Sequence, residues 1–105
     1  MDPLANQETN LTVEEIEQLD EITLRETVGL MNSDDYRDRF VAEYLQTRIR
    51  YMSLHRMCIR YEAGTLSFTP KCSLELLKEQ KSYMGNYLRC LEVRAEIEGI
   101  TLPRI

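Results

Sequence analysis

From Ser33 to Ala63 the chain contains neither glycine nor proline, and its apolar residues keep a helical beat. Phe40, Tyr44, Thr47, Tyr51, Leu54, Cys58 and Tyr61 follow one another in alternating steps of four and three. Such steps put all seven side chains on one side of an α-helix. Val41, Leu45, Met52 and Ile59 form a neighbouring stripe. The combined face is broader than a two-stranded seam needs, and it suits a helix that touches more than one partner. Ser33 is a good N-cap, with Asp34 and Asp35 expected in the first turn, where the helix dipole favours acids. The helix is expected to run to about Tyr61, and Ala63-Gly64 to stop it.

A second helix is expected from Leu74 to Glu98, with Ser73 as N-cap, Glu75 in the first turn and Gly99 as the stop. Leu74, Leu77, Met84, Leu88, Leu91 and Ala95 share one face, with Tyr87 at its edge. At ~1.5 Å per residue the two helices are roughly 42 and 38 Å long, a match that an antiparallel pairing requires. The connection from Thr65 to Cys72 is too long for a tight turn. Pro70 holds Thr69 extended, and Leu66 and Phe68 are expected to fold back and plug the helix ends. Ile100, Leu102 and Pro103 read as a short extended tail.

The N-terminal third has a different character. Residues 1–10 are polar, and Thr12 with Glu15 makes a capping box that opens a helix expected over 12–29. Val13, Ile16 and Leu19 keep helical spacing, and Gly29 and Asn32 mark the end. Residues 1–35 hold 10 acids and 1 base, a balance of −9, against 8 acids and 12 bases, a balance of +4, in residues 36–105. The overall charge of −5 therefore conceals a dipolar chain. The expected fold is all-α: an acidic arm with one short helix over 1–32, then a long antiparallel helical hairpin over 33–105. A lone hairpin buries one seam and leaves its other faces wet, so a homo-oligomeric helical bundle is expected.

Several functional classes find no support. No apolar run reaches the ~18 residues of a membrane span. The N-terminus lacks the basic and apolar regions of a secretory signal. Cys58, Cys72 and Cys90 are an odd number without framework spacing, which reads as free thiols in a reducing cytosol. His55 and Cys58 lie one turn apart, but no orienting group or oxyanion hole accompanies them, so no catalytic pair and no enzyme is expected. No Cys-x-x-Cys pair supports zinc, and the four scattered glycines form no phosphate loop, so no metal or cofactor is expected. An acidic chain, pI about 4.9, is a poor duplex nucleic-acid binder.

The arginines point further. Ten of the 13 bases are Arg, and eight of these interleave with six tyrosines along the two helices. Guanidinium groups recognise phosphate and ring faces stack on bases, so this pairing suits a nucleotide site. On that chemistry the ligand contacts are expected at Arg37, Arg39, Tyr44, Arg48, Tyr51 and Arg94. The bland reading is that these arginines are solvated or paired with Glu43, Glu62, Glu92 or Glu96, and that the tyrosines belong to the seam. The arm offers a different idea. Glu14, Glu15, Glu17, Asp20, Glu21 and Glu26 are placed to mimic a phosphate backbone, or they keep to water while Ile16 and Leu19 pack.

One longer pattern spans residues 34–102. It comprises Asp34-Asp35-Tyr36-Arg37-Asp38-Arg39-Phe40, Glu43-Tyr44, Arg48-Ile49-Arg50-Tyr51 and the loop Gly64-Thr65-Leu66-Ser67-Phe68-Thr69-Pro70. The last helix adds Gln80, Met84, Tyr87-Leu88, Leu91-Glu92, Arg94-Ala95 and Glu98-Gly99-Ile100. This pattern resembles small proteins of phages and prophages in Gram-positive bacteria. The helix order is also similar to the hairpin of phage anti-CBASS and anti-Thoeris sponge proteins. That resemblance implies a hexamer of hairpins that sequesters cyclic dinucleotides, cyclic trinucleotides or cyclic ADP-ribose derivatives without cleaving them. The acidic arm departs from the pattern. The competing expectation, from a different class, is a protein that inhibits a host defence enzyme through its acidic helix or hairpin face. A third is a structural or accessory phage protein with no ligand.

Overall fold

Backbone conformation at a few capping residues sets the element boundaries. The computed structural model describes residues 24–103, and these contain helix and irregular chain with no strand. Residues 24–31 are helical (α1), Tyr36–Ala63 form α2, and Leu74–Glu98 form α3. The Thr12–Glu15 capping box and the first two thirds of the expected 12–29 helix lie outside the described residues. Gly29 does not end α1, which continues to Met31 before a turn at Asn32. A single helical glycine costs only about 1 kcal/mol relative to alanine, and here the Asn32 side chain bonds the Val28 carbonyl as the helix finishes.

Asp35, not Ser33, caps α2: its carboxylate accepts from the backbone N–H of Arg37 at 2.9 Å. Ser33 serves the entry differently. Its hydroxyl accepts from Asp35 N and donates to Asp38 Oδ2 at 2.7 Å, tying the connection to the first turn. At the far end Gly64 takes the left-handed conformation, φ 75°, which a side chain would disfavour, and its N–H returns to the Tyr61 carbonyl. α3 starts and stops where its residues indicate. The Ser73 hydroxyl accepts from Leu76 N at 3.2 Å, and Gly99 ends the helix at φ 71°.

α2 and α3 lie side by side in opposite directions. Tyr36 pairs with Glu98, Tyr44 with Glu92, and Glu62 with Lys78, so the start of one helix meets the end of the other. Phe40, Tyr44, Leu88, Leu91 and Ala95 form the buried cluster between them, with Leu91 only 1% exposed. Tyr51 packs against this cluster, and a Cβ on Gly85 would stand 3.4 Å from its ring. The absent side chain at Gly85 therefore lets Tyr51 approach the α3 backbone. Cys58 and Leu77 are the last buried positions toward the connection. Phe68 does not plug the end: it is 57% exposed. The loop leaves Gly64 and travels outward, and only Leu66 and Pro70 of it are partly covered.

α2 is buried on a second flank. Ala42, Leu45 and Ile49 are buried, and their register turns them away from the Phe40–Tyr44 stripe. Gln46, on the same flank, donates to Thr27 Oγ1 at 2.9 Å and also contacts Met31 Sδ. Thr27 is fully buried and donates to the Leu24 carbonyl at 2.7 Å. The broad face of α2 thus divides into one stripe for α3 and one flank on which α1 is fastened.

Candidate functional site

The tail after α3 turns back instead of running on. Gly99 reverses the chain, the Ile100 N–H bonds the Ala95 carbonyl at 2.9 Å, and Ile100 and Leu102 pack on the core cluster. An apolar residue just past a left-handed glycine commonly docks on its own helix in this way. The returned tail forms one wall of an open cavity of about 810 Å³. Tyr44 and Arg48 line it from α2, Glu92 and Glu96 from α3, and Thr101 to Pro103 from the tail. This volume lies in the ~300–1,000 Å³ range of small-molecule sites.

Each polar group here has a definable role. Tyr44 is 4% exposed, so its ring belongs to the core while its hydroxyl reaches the cavity and donates to Glu92 Oε2 at 3.0 Å. Burial, and next the bond to Glu92, raise its pKa above the ordinary 10.0, whereas Arg48 pulls it the other way. The phenol therefore stays protonated and fixes the Glu92 carboxylate. Arg48 is half-buried beside that phenol and brings the cavity's positive charge. Glu92 and Glu96 are exposed carboxylates on the facing helix. One guanidinium opposite two carboxylates offers a phosphate contact at one end and acceptors for hydroxyl or amino groups at the other.

The six residues expected to contact ligand are spread over several places. Tyr44 and Arg48 meet in the cavity. Arg94 lies across the seam: its guanidinium carbon is 4.9 Å from the centroid of the Phe40 ring, Nη2 donates to the Tyr36 hydroxyl at 2.7 Å, and Nε pairs with Glu98 at 3.3 Å. There the hydrogen bond to Glu98, then burial, raise the Tyr36 pKa above 10.0. Arg39 Nη1 donates to the Ser33 carbonyl at 2.7 Å and borders a smaller cavity of about 300 Å³ with Met31, Glu43, Gln46 and Thr47. Tyr51 is half-buried and stacks on His55, centroids 6.4 Å apart. Arg37 is exposed beside the α2 cap.

The residues that sequence reasoning missed are Glu92, Glu96 and the tail from Gly99 to Pro103. A glycine stop followed by Ile100 was the available signal for the tail. The carboxylates had none, because only the register across the seam brings them to Tyr44 and Arg48. His55 Nδ1 is buried without a partner. Cys58 is buried, whereas Cys72 and Cys90 are exposed and all three thiols are free. Among the described residues no His, Cys, Asp or Glu grouping has metal-holding geometry, and no helix is long and apolar enough to cross a membrane.

No curated protein and no solved structure matches the chain. The Sequestin family model does match, over residues 34–97, a span that begins at the α2 entry and closes within the last turn of α3. It includes Tyr44, Arg48, Glu92 and Glu96 and covers more than half of the 105 residues. The chain belongs to the Sequestin family.

Proposed function

We propose that the protein binds a cyclic nucleotide immune signal and holds it without cleaving it, as a phage anti-defence sponge in the host cytoplasm. The observation that carries this reading is the open cavity in which Arg48 and the Tyr44 hydroxyl face Glu92 and Glu96. The family's name speaks of sequestering and supports the same direction. In this reading Arg48 takes a ligand phosphate, and the two carboxylates and the tail backbone take sugar hydroxyls or base amino groups. Tyr44 keeps Glu92 in place. Its buried ring is not available for stacking, so base faces rest on the apolar tail, Ile100 and Leu102. Cyclic dinucleotides, cyclic trinucleotides and cyclic ADP-ribose isomers all carry phosphate, ribose and base, and all fall within this class. Sequestration lowers free signal by mass action and requires abundance and affinity, not a catalytic group. Assembly of the antiparallel helices into a homo-oligomer of hairpins belongs to the same reading.

Native mass spectrometry against a panel of these nucleotides tests it. Stoichiometric ligand, released chemically unchanged on denaturation, is the expected result. A protein that ignores the whole panel, or releases cleaved products, contradicts it.

A further inference from the structure

The tail wall of the cavity is held by far less than holds its helices. Phe40, Leu88, Leu91 and Ala95 are buried, whereas Ile100 and Leu102 are half-buried and Thr101 and Pro103 are exposed. Among the described residues, the bond from Ile100 N–H to the Ala95 carbonyl is the one backbone tie of residues 100–103. Pro103 has no N–H to add another. Ile100 and Leu102 stand two apart, so an extended tail turns both toward the core and Thr101 the other way. The same segment, with Gly99, supplies half of the residues that line the cavity, beside Tyr44 and Arg48. Two half-covered aliphatic side chains and one hydrogen bond oppose the ordering of four residues. These contributions are of similar size, so the tail can leave the core while the helices stay folded.

Gly99 sets this balance. Its φ of 71° strains any L side chain, yet a Cβ there would meet no atom within 4 Å. The position needs glycine for its backbone conformation and not for space. A residue that prefers helical φ would carry α3 onward and draw Ile100 off the core. We propose that Ile100 to Pro103 form a strap, hinged at Gly99, which a bound molecule fastens and which holds that molecule beside Arg48. This role rests on the cavity being the ligand site of the functional reading above. A ligand touches the strap only when the strap is docked, so binding draws the equilibrium toward docking. By linkage, a docked strap strengthens binding by the same factor. The undocked state gives the ligand an open side to enter, and the docked state retains it.

Gly99→Ala and Gly99→Asn in the full chain test the hinge. Asn is larger than Ala but tolerates the left-handed conformation far better. Alanine should shift the docking equilibrium by about five- to thirtyfold. From a half-docked start, binding then weakens by about three- to fifteenfold. Gly99→Asn should lie between Gly99→Ala and the wild type, with helicity retained in both. Titration with cyclic di-AMP, cyclic tri-AMP and cyclic ADP-ribose reads the affinities. A Gly99→Ala variant that binds as tightly as the wild type overturns the strap. So does a Gly99→Asn variant weaker than Gly99→Ala, because that order reports crowding of the cavity. Amide exchange without nucleotide gives a separate reading. Ile100 should open at least about tenfold more readily than Leu91, and Gly99→Ala should open it further. An Ile100 amide as protected as that of Leu91 would make the tail a fixed wall and overturn the proposal. A wild type that retains none of the three nucleotides overturns the functional reading and the strap's role in binding together. A wild type that binds beside an equally tight Gly99→Ala overturns the strap alone.

Discussion

The two sides of the α2–α3 seam are built from the same residue types and come to different ends. On one side Arg94 lies over Phe40, bonds Tyr36 and pairs with Glu98, while Tyr87 bonds Glu43. Those contacts close that side into a lattice of internal bonds. On the other side Arg48, Tyr44, Glu92 and Glu96 border a cavity of about 810 Å³, held open by a tail that packs on the core. Arginine and tyrosine are therefore not the mark of the site. What marks it is a wall that stops neighbouring helices from satisfying one another. Gly99 makes that wall by reversing the chain within reach of Ala95.

The largest effect on this contrast should come from the seam that both sides share. Leu91→Ala removes a side chain that is 1% exposed at the centre of the cluster, at a cost of ~2–5 kcal/mol. Urea unfolding followed by circular dichroism measures the loss. A change well below that range would mean that the cluster does not hold the two helices together.

A smaller and more selective effect is expected at Tyr44. Tyr44→Phe deletes the bond to Glu92 and should cost about 1 kcal/mol at neutral pH. The pH dependence sharpens the test. The folded Tyr44 phenol is raised above its ordinary 10.0, by burial first and by Glu92 second. As pH climbs past ~10 the unfolded chain loses this proton first. Stability is thus fully present below that value and falls as pH rises through the folded pKa. Tyr44→Phe should make the alkaline decline shallower, as read from unfolding midpoints across that window. An identical decline in the variant would show that Tyr44 is not so perturbed.

The smallest effect should be at the far end of the helices. Glu62 and Lys78 pair at 2.7 Å on the surface, and each holds the other charged: their hydrogen bond lowers the Glu62 pKa and raises that of Lys78. Exposed pairs contribute little, so Lys78→Ala should leave the melting temperature unchanged within error and bind ligand as the wild type does. A clear drop would show that this end of the molecule is more tightly coupled to the core than its burial indicates.

Local signals carried most of the fold. Ser73 and Gly99 mark α3 because capping chemistry depends on residues within one turn. The start of α2 was less legible, since Ser33, Asp34 and Asp35 are all competent caps and the choice of Asp35 depends on Ser33 engaging Asp38. Phe68 is exposed against expectation, because an apolar residue in a loop indicates burial only when the loop turns inward. The site was the least legible part. Tyr44 and Arg48 were identifiable as chemistry, but their separation from Arg94 is set by which side of the seam each occupies. That depends on the register of residues some fifty positions apart, as in the Tyr44–Glu92 bond.

A paired titration shows on which side of the seam the ligand lies. Isothermal calorimetry of the wild type, Arg48→Ala and Arg94→Ala with the cyclic nucleotide that the wild type retains compares the two sides in one experiment. Loss of a charged hydrogen bond at Arg48 should weaken binding by about tenfold to a hundredfold. Arg94→Ala should keep its affinity while melting at a lower temperature. Full affinity in Arg48→Ala, with binding lost in Arg94→Ala, would place the ligand on the opposite side of the seam and contradict the account.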